Sequence, residues 1–288
     1  MRPNGFLIVI DLALQKINSP VFNKYRKGLF LGAFRENVYY LPGIRTVSLN
    51  PSISHFYHPH LPGGIIPFLW PGPRWMGNYH FKRAVHEFRS NRVAAAFVQL
   101  GRVSHLLTDM ACPVHAQSVF HSSDPFEWAV ETMNNEFRTA HVSEIGPGKT
   151  ASQLIQQMAQ FTQSYPAEKV NNPWGYILRK VGARRTLQTD LVRKQAGELI
   201  PVVASHTVSL FRLFLEQVDR PQLVGRASLP ARSDQNPLPE ILRSLEMCPV
   251  GLKKWFAQMR RFCAKHGGEK YYSEILELLD ECENTVRL

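Results

Sequence analysis

The stretch "NRVAAAFVQLGRVSHLLTDMACPVHA", residues 91–116, constrains the fold more than any other. Asn91–Thr108 is Ala-rich and apolar around most of its circumference, so as a helix it is buried on most sides and needs other helices around it. Into this apolar surface the sequence sets His105 and Asp109, which share one helical face a turn apart. A third polar residue, His115, follows a Cys112-Pro113 break. Two such groups in so apolar a helix require buried partners. Those partners are either hydrogen-bonding neighbours in the core or a metal ion, since imidazole and carboxylate together suit a divalent ion such as zinc.

The remaining segments agree with a helical protein. Apolar residues recur at three and four over Phe6–Lys16, Asn23–Leu31 and Asn78–Arg89, and strand-like alternation is almost absent. "SDPFEWAVETMNNEF" begins a helix with Asp124 as N-cap, Pro125 at the first helical position and Glu127 three residues after the cap. Glu127 therefore has a ready capping role as well as a possible ligand role. Further helices are predicted over Ala151–Ser164, Leu187–Leu215 with a break at Pro201, Leu238–Ser244, Val250–Lys265 and Tyr271–Arg287. The Pro- and Gly-rich segment 39–75 reads as one long irregular loop. Loops of that length in compact domains are functional or disordered, and its aromatic residues argue against disorder. Trp70 and Trp75 suit a lipid or base pocket, or packing beneath the loop.

Charge and cysteine usage narrow the function classes. Lys and Arg number 34 against 23 Asp and Glu, a formal net charge of +11. That balance favours phosphate, nucleic acid or an anionic membrane surface as partner, although a basic surface with no specific partner has the same composition. Four cysteines, at 112, 248, 263 and 282, lack CxxC spacing and suggest neither a zinc ribbon nor a disulfide framework. Cys112 reads as a soft ligand or as a small buried hydrophobe. The apolar N-terminal run is interrupted by Asp11 and is not a secretory signal. No run of about 18 apolar residues marks a membrane span. The chain as written reads as cytoplasmic, or as secreted if its start is misassigned. No G-x-S-x-G elbow, H-E-x-x-H helix or isolated carboxylate pair points to peptide or glycoside hydrolysis.

Across residues 6–215 the order of "SHFYHPHLPGGIIPF", the 91–116 stretch and "FHSSDPFEWAVETMNNEF" resembles the zinc-dependent phospholipase C family, which shares its all-α fold with the single-strand-specific zinc nucleases. The His-x3-Asp-x3-Pro-x-His core at 105–115 is the most specific part. The resemblance implies metal ions in a cleft between helices that bind a phosphodiester and activate the attacking water. It places His55 and His105 as ligands of a first metal and Asp109 as the carboxylate that bridges two metals and serves catalysis. His115, Glu127 and His121 fall to the other metal, with two extra residues between His121 and Glu127. Asn37 stands where the family has an aspartate ligand, and Phe6 where it has a histidine. Loss of the third metal follows, leaving one or two zinc ions.

The expected organisation is a zinc phospholipase C-like helical domain over 1–224, a polar Pro-rich linker over 225–239 and a helical extension over 240–288. The expected substrate is a phospholipid head group or single-stranded nucleic acid. The alternative is a catalytically inactive metal-binding or scaffold protein of the same fold. In the extension, Leu252, Trp255, Phe256, Met259 and Phe262 share a face flanked by Lys253, Lys254, Arg260 and Arg261. This pattern suits peripheral contact with an anionic membrane or docking on the main domain.

Overall fold

A computed structural model describes residues 3–36, 38–40, 47–49, 53–57, 71–119, 121, 124–137, 140–143, 145–146, 150–169, 186–218, 236–247, 249–265 and 270–286. Asn37, His58, His60, Trp70 and most of the 225–239 linker lie outside the described residues.

The protein is all-α. In chain order the helices are α1 (Pro3–Ile17), α2 (Pro20–Lys24), α3 (Arg26–Glu36), α4 (Pro73–Arg89), α5 (Val93–Asp109), α6 (Pro113–Ala116), α7 (Pro125–Thr132), α8 (Asn134–Phe137), α9 (Ala151–Thr162), α10 (Thr189–Val218), α11 (Leu238–Ser244), α12 (Pro249–Lys265) and α13 (Lys270–Val286). Two three-residue strands, β1 (Val38–Tyr40) and β2 (Val47–Leu49), pair antiparallel with Val38 opposite Leu49. This ribbon, a 3-10 turn at Ile53–His55 and an early start to α4 lie in and around the segment expected to be one irregular loop.

α5 is the axis of the fold, and nearly all its residues are buried. Its approach to α3 is set by two glycines. A Cβ on Gly32 would fall 2.1 Å from the Val98 carbonyl oxygen of α5, and a Cβ on Gly101 would fall 2.1 Å from the Leu29 carbonyl oxygen of α3. The backbones thus meet at a distance that no side chain permits. Where Asn23–Leu31 was expected to run as one helix, Tyr25 leaves the helical conformation and its ring stacks on Phe97 of α5 at 5.1 Å. Tertiary packing overrides local periodicity there. Beneath α5, Phe22, Phe97, Phe211 and Phe214 meet at edge and tilted angles, with centroid separations of 4.7–6.3 Å.

α10 runs unbroken through Pro201. An interior proline costs about 3 kcal/mol, and the burial of Leu199, Ile200, Val203 and Ala204 around it offsets that cost. By length and composition α10 could cross a membrane, yet 72% of its apolar window is buried inside the fold, as expected of a core helix.

The C-terminal helices join the same core. Arg26 donates to both oxygens of Asp11 at 2.9 Å and to Glu274 at 3.2 Å, tying α1, α3 and α13 together. Leu252, Trp255, Phe256 and Met259 of α12 are buried, so the apolar face of that helix is docked on the protein; the side chain of Phe262 lies outside the described residues.

Candidate metal centre

The last two turns of α5 deliver His105 and Asp109, neither of which is exposed. The neighbouring polar residues satisfy themselves: Ser104 Oγ donates to the Leu100 carbonyl and Thr108 Oγ1 to the Ser104 carbonyl. That leaves the imidazole and the carboxylate as the helix's chemically active groups. α5 ends at Asp109, and Pro113, which has no N–H to lose, starts α6. The reversal swings His115 back beside them. The segment carrying His55 is stitched to this turn: Tyr57 N–H donates to the His115 carbonyl at 2.9 Å, Ser118 Oγ to the Tyr57 carbonyl at 2.6 Å, and His115 Nδ1–H to the His55 carbonyl at 3.3 Å.

His55, His105 and Asp109 form the first donor set. His55 Nδ1 lies 2.7 Å from Asp109 Oδ2. His105 Nε2 lies 3.2 Å from the same oxygen and 3.3 Å from His55 Nδ1. The last two separations match the roughly 3.3 Å edge of a tetrahedron with about 2.0–2.1 Å bonds to a central ion, and the first is shorter. Three donor atoms this close together could hold one cation. The outer nitrogens, His55 Nε2 and His105 Nδ1, are buried without a hydrogen-bond partner among the described residues.

The second set is Cys112, His115 and Glu127. Asp124 caps α7, its Oδ1 accepting from Phe126 N–H at 2.9 Å and Glu127 N–H at 3.4 Å. With the cap supplied by Asp124, the Glu127 carboxylate is turned to the histidines, 3.5 Å from His115 Nε2 and 3.9 Å from His121 Nε2. His115 donates its Nδ1–H to a backbone carbonyl, which leaves the Nε2 lone pair to the site, the usual arrangement for a ligating imidazole. His121 holds its Nδ1 3.3 Å from the Val119 carbonyl and so also presents Nε2. The two sets adjoin, with the His55 and His115 rings 6.4 Å apart.

The electrostatics suit a cation. Burial pushes His115 down to about 4 against the pull of Asp109 and Glu127, so this imidazole is neutral at pH 7. Burial likewise lowers His105. Burial acts to raise Asp109 and Glu127, but the electrostatic and hydrogen-bonding surroundings outweigh it and hold both carboxyls well below the usual range, so both are ionised. One fully buried and one partly buried carboxylate among imidazoles form a charge-rich pocket that a cation would stabilise.

Most of the sequence-derived ligands thus converge. His55, His105 and Asp109 form one set, and His115, Glu127 and His121 meet at the other. Asn37 lies outside the described residues. Phe6 is fully buried with its ring 4.0 Å from that of His105, so an apolar ring occupies the neighbourhood where a third metal's histidine was expected. Cys112, read from the sequence as a soft ligand or a small buried hydrophobe, is fully buried with its sulfur in the second set, three residues from His115. Sequence reasoning missed a buried cluster beside the centre: Glu36 accepts from Arg102 Nε at 2.6 Å and lies 3.8 Å from His80, which pairs with Gln99 at 2.8 Å. These residues are scattered along the chain without motif spacing.

No protein-family model matches the chain, and no curated protein matches it.

Proposed function

We propose that the protein is a metal-dependent phosphodiester hydrolase resembling the zinc-dependent phospholipases C, with a two-ion centre. The observation that supports this most is the adjacency of the two donor sets, with Asp109 in the first and His115 of the second near enough to act on each other electrically. Divalent ions held there would supply a nucleophile from water at neutral pH and offset charge on the phosphoryl oxygens. His55, His105 and Asp109 would hold one ion, and His115 and Glu127 the other. Asp109 would also fix the spacing between them. The Glu127 and His121 side chains, about 12–13% exposed, mark the side from which a phosphodiester would enter.

Two further readings each have an observation in their favour. Trp75 and Tyr79 project from α4, 58% and 45% exposed, with their rings stacked parallel to within 2° at 5.7 Å. Such a platform suits base stacking and favours single-stranded nucleic acid over lipid as substrate. The complete burial of the first donor set favours a structural metal, because closed sites are structural and open ones catalytic. The test is purified protein, stripped and reloaded with zinc, assayed on a chromogenic phosphodiester, a phosphatidylcholine dispersion and single-stranded DNA. Zinc-dependent turnover of any one supports the hydrolase. Tightly bound metal with no turnover on all three overturns it in favour of the binding protein.

A further inference from the structure

We infer that the two metal positions differ in chemistry and that Cys112 is a thiolate ligand of the second. This rests on the reading of the centre as metal-binding, but not on its being catalytic. Cys112 is fully buried and sits at the mouth of α6, where its carbonyl accepts from His115 N–H and Ala116 N–H at 3.0 Å. That one-turn geometry puts the sulfur beside the imidazole: the ligand atoms of Cys112, His115 and Glu127 all lie within 4.8 Å of one another. A second observation points to a ligand: His115 is 2% exposed, and among the described residues its Nε2 makes no hydrogen bond of good geometry, its nearest charged neighbour being Glu127 Oε1 at 3.5 Å.

The alternative role for Cys112 is a thiol donor to Asp124 Oδ1, 3.6 Å away. That oxygen already accepts two backbone N–H groups, so Asp124 has little need of a weak S–H donor. Nor is the space merely apolar filler, because ligand atoms of His115 and Glu127 lie within 4.8 Å of the sulfur. Cys112, His115 and Glu127 form a sulfur-nitrogen-oxygen set. The first position has nitrogen and oxygen alone. Soft thiolate selects zinc, cadmium or cobalt over magnesium, manganese and calcium, so the second position should discriminate more sharply among divalent ions than the first. On loading, the Cys112 S–H bond breaks, the proton leaves to solvent and a sulfur-metal bond forms, with no change of oxidation state.

Cobalt(II) tests this without reference to activity. The full chain loaded with cobalt should show the near-ultraviolet thiolate-to-cobalt charge-transfer band together with visible ligand-field bands. C112A should lose the first and keep the second. Its cobalt affinity at that position should fall by more than the roughly 10- to 100-fold that loss of a ligand's hydrogen-bond partner costs. A C248A/C263A/C282A variant, which leaves Cys112 untouched, should retain the charge-transfer band and covers the case in which C112A fails to fold. Cobalt bound by the wild-type chain without that band, or a band lost in the triple variant and kept in C112A, overturns the assignment and leaves the hydrolase proposal standing. A wild-type chain that binds no cobalt overturns both.

Discussion

His55 Nδ1 lies 2.7 Å from Asp109 Oδ2, joining a 3-10 turn to the last turn of α5. Asp109 is the carboxylate that both imidazoles of the first set approach, and it is fully buried. Asp109→Asn keeps the shape and removes the charge, so the site loses its anionic ligand and its attraction for a cation. Metal content should fall by about one ion per chain, and zinc-dependent phosphodiester turnover should drop at least about 100-fold. Far-ultraviolet circular dichroism should change little. Turnover that survives both this substitution and a chelator would reject the metal mechanism.

The helical architecture and the His105–Asp109 pair were legible because both depend on local pattern, whereas His55 was placed with them only by the resemblance. Helix periodicity gave the elements, and one turn of helix gave the His105–Asp109 pair. What stayed hidden depends on contacts distant in sequence. The α2–α3 break is held by Tyr25 against Phe97, and the continuity of α10 through Pro201 by burial on both sides of it. The role of Glu127 was ambiguous for a related reason. A capping box and a metal ligand use the same residue at the same spacing, and only the position of its carboxylate beside His115 separates them.

The glycines at the α3–α5 contact give a prediction on stability alone. Gly32→Ala or Gly101→Ala would drive a methyl into a facing backbone carbonyl, and backbone cannot yield as a flexible side chain does. Each should destabilise by about 1–3 kcal/mol or more, read as a lower denaturation midpoint. Gly197→Ala is the contrasting case: it lies within α10 with open space where a Cβ would go. Relief of glycine's entropy cost should stabilise by roughly 0.5–1 kcal/mol. Equal effects at all three positions would contradict the close approach.

The buried imidazoles set a pH dependence for the metal-free protein. Burial, aided by Arg102, lowers His80 from 6.5 to about 4, and burial lowers His115 to about 4 as well. Unfolded, each takes up a proton near pH 6.5; folded, neither does so until about pH 4. The unfolded chain therefore binds more protons across that window, so stability is complete above about pH 6.5 and declines as pH falls towards 4. His80→Gln should remove roughly 1–3 kcal/mol of that decline. Urea denaturation at pH 7.0, 5.5 and 4.5 in chelator checks it, and identical slopes for variant and wild type would reject the assignment to His80.

The number of ions per chain follows from Phe6. Its ring is fully buried against His105, and an apolar ring there offers no lone pair and excludes the water that a solvated ion would bring. Two donor sets remain among the described residues, so elemental analysis should return at most two tightly held ions per chain. One should exchange readily with other divalent ions and one should prefer thiophilic metals, if Cys112 belongs to the second set. Phe6→His should not restore a third site. It places an imidazole in the α1 core at a desolvation cost of roughly 1–3 kcal/mol, and it should lower thermal stability without raising metal content. Three tightly bound zinc ions in the wild-type protein, or a third ion gained by Phe6→His, would overturn this account of the centre.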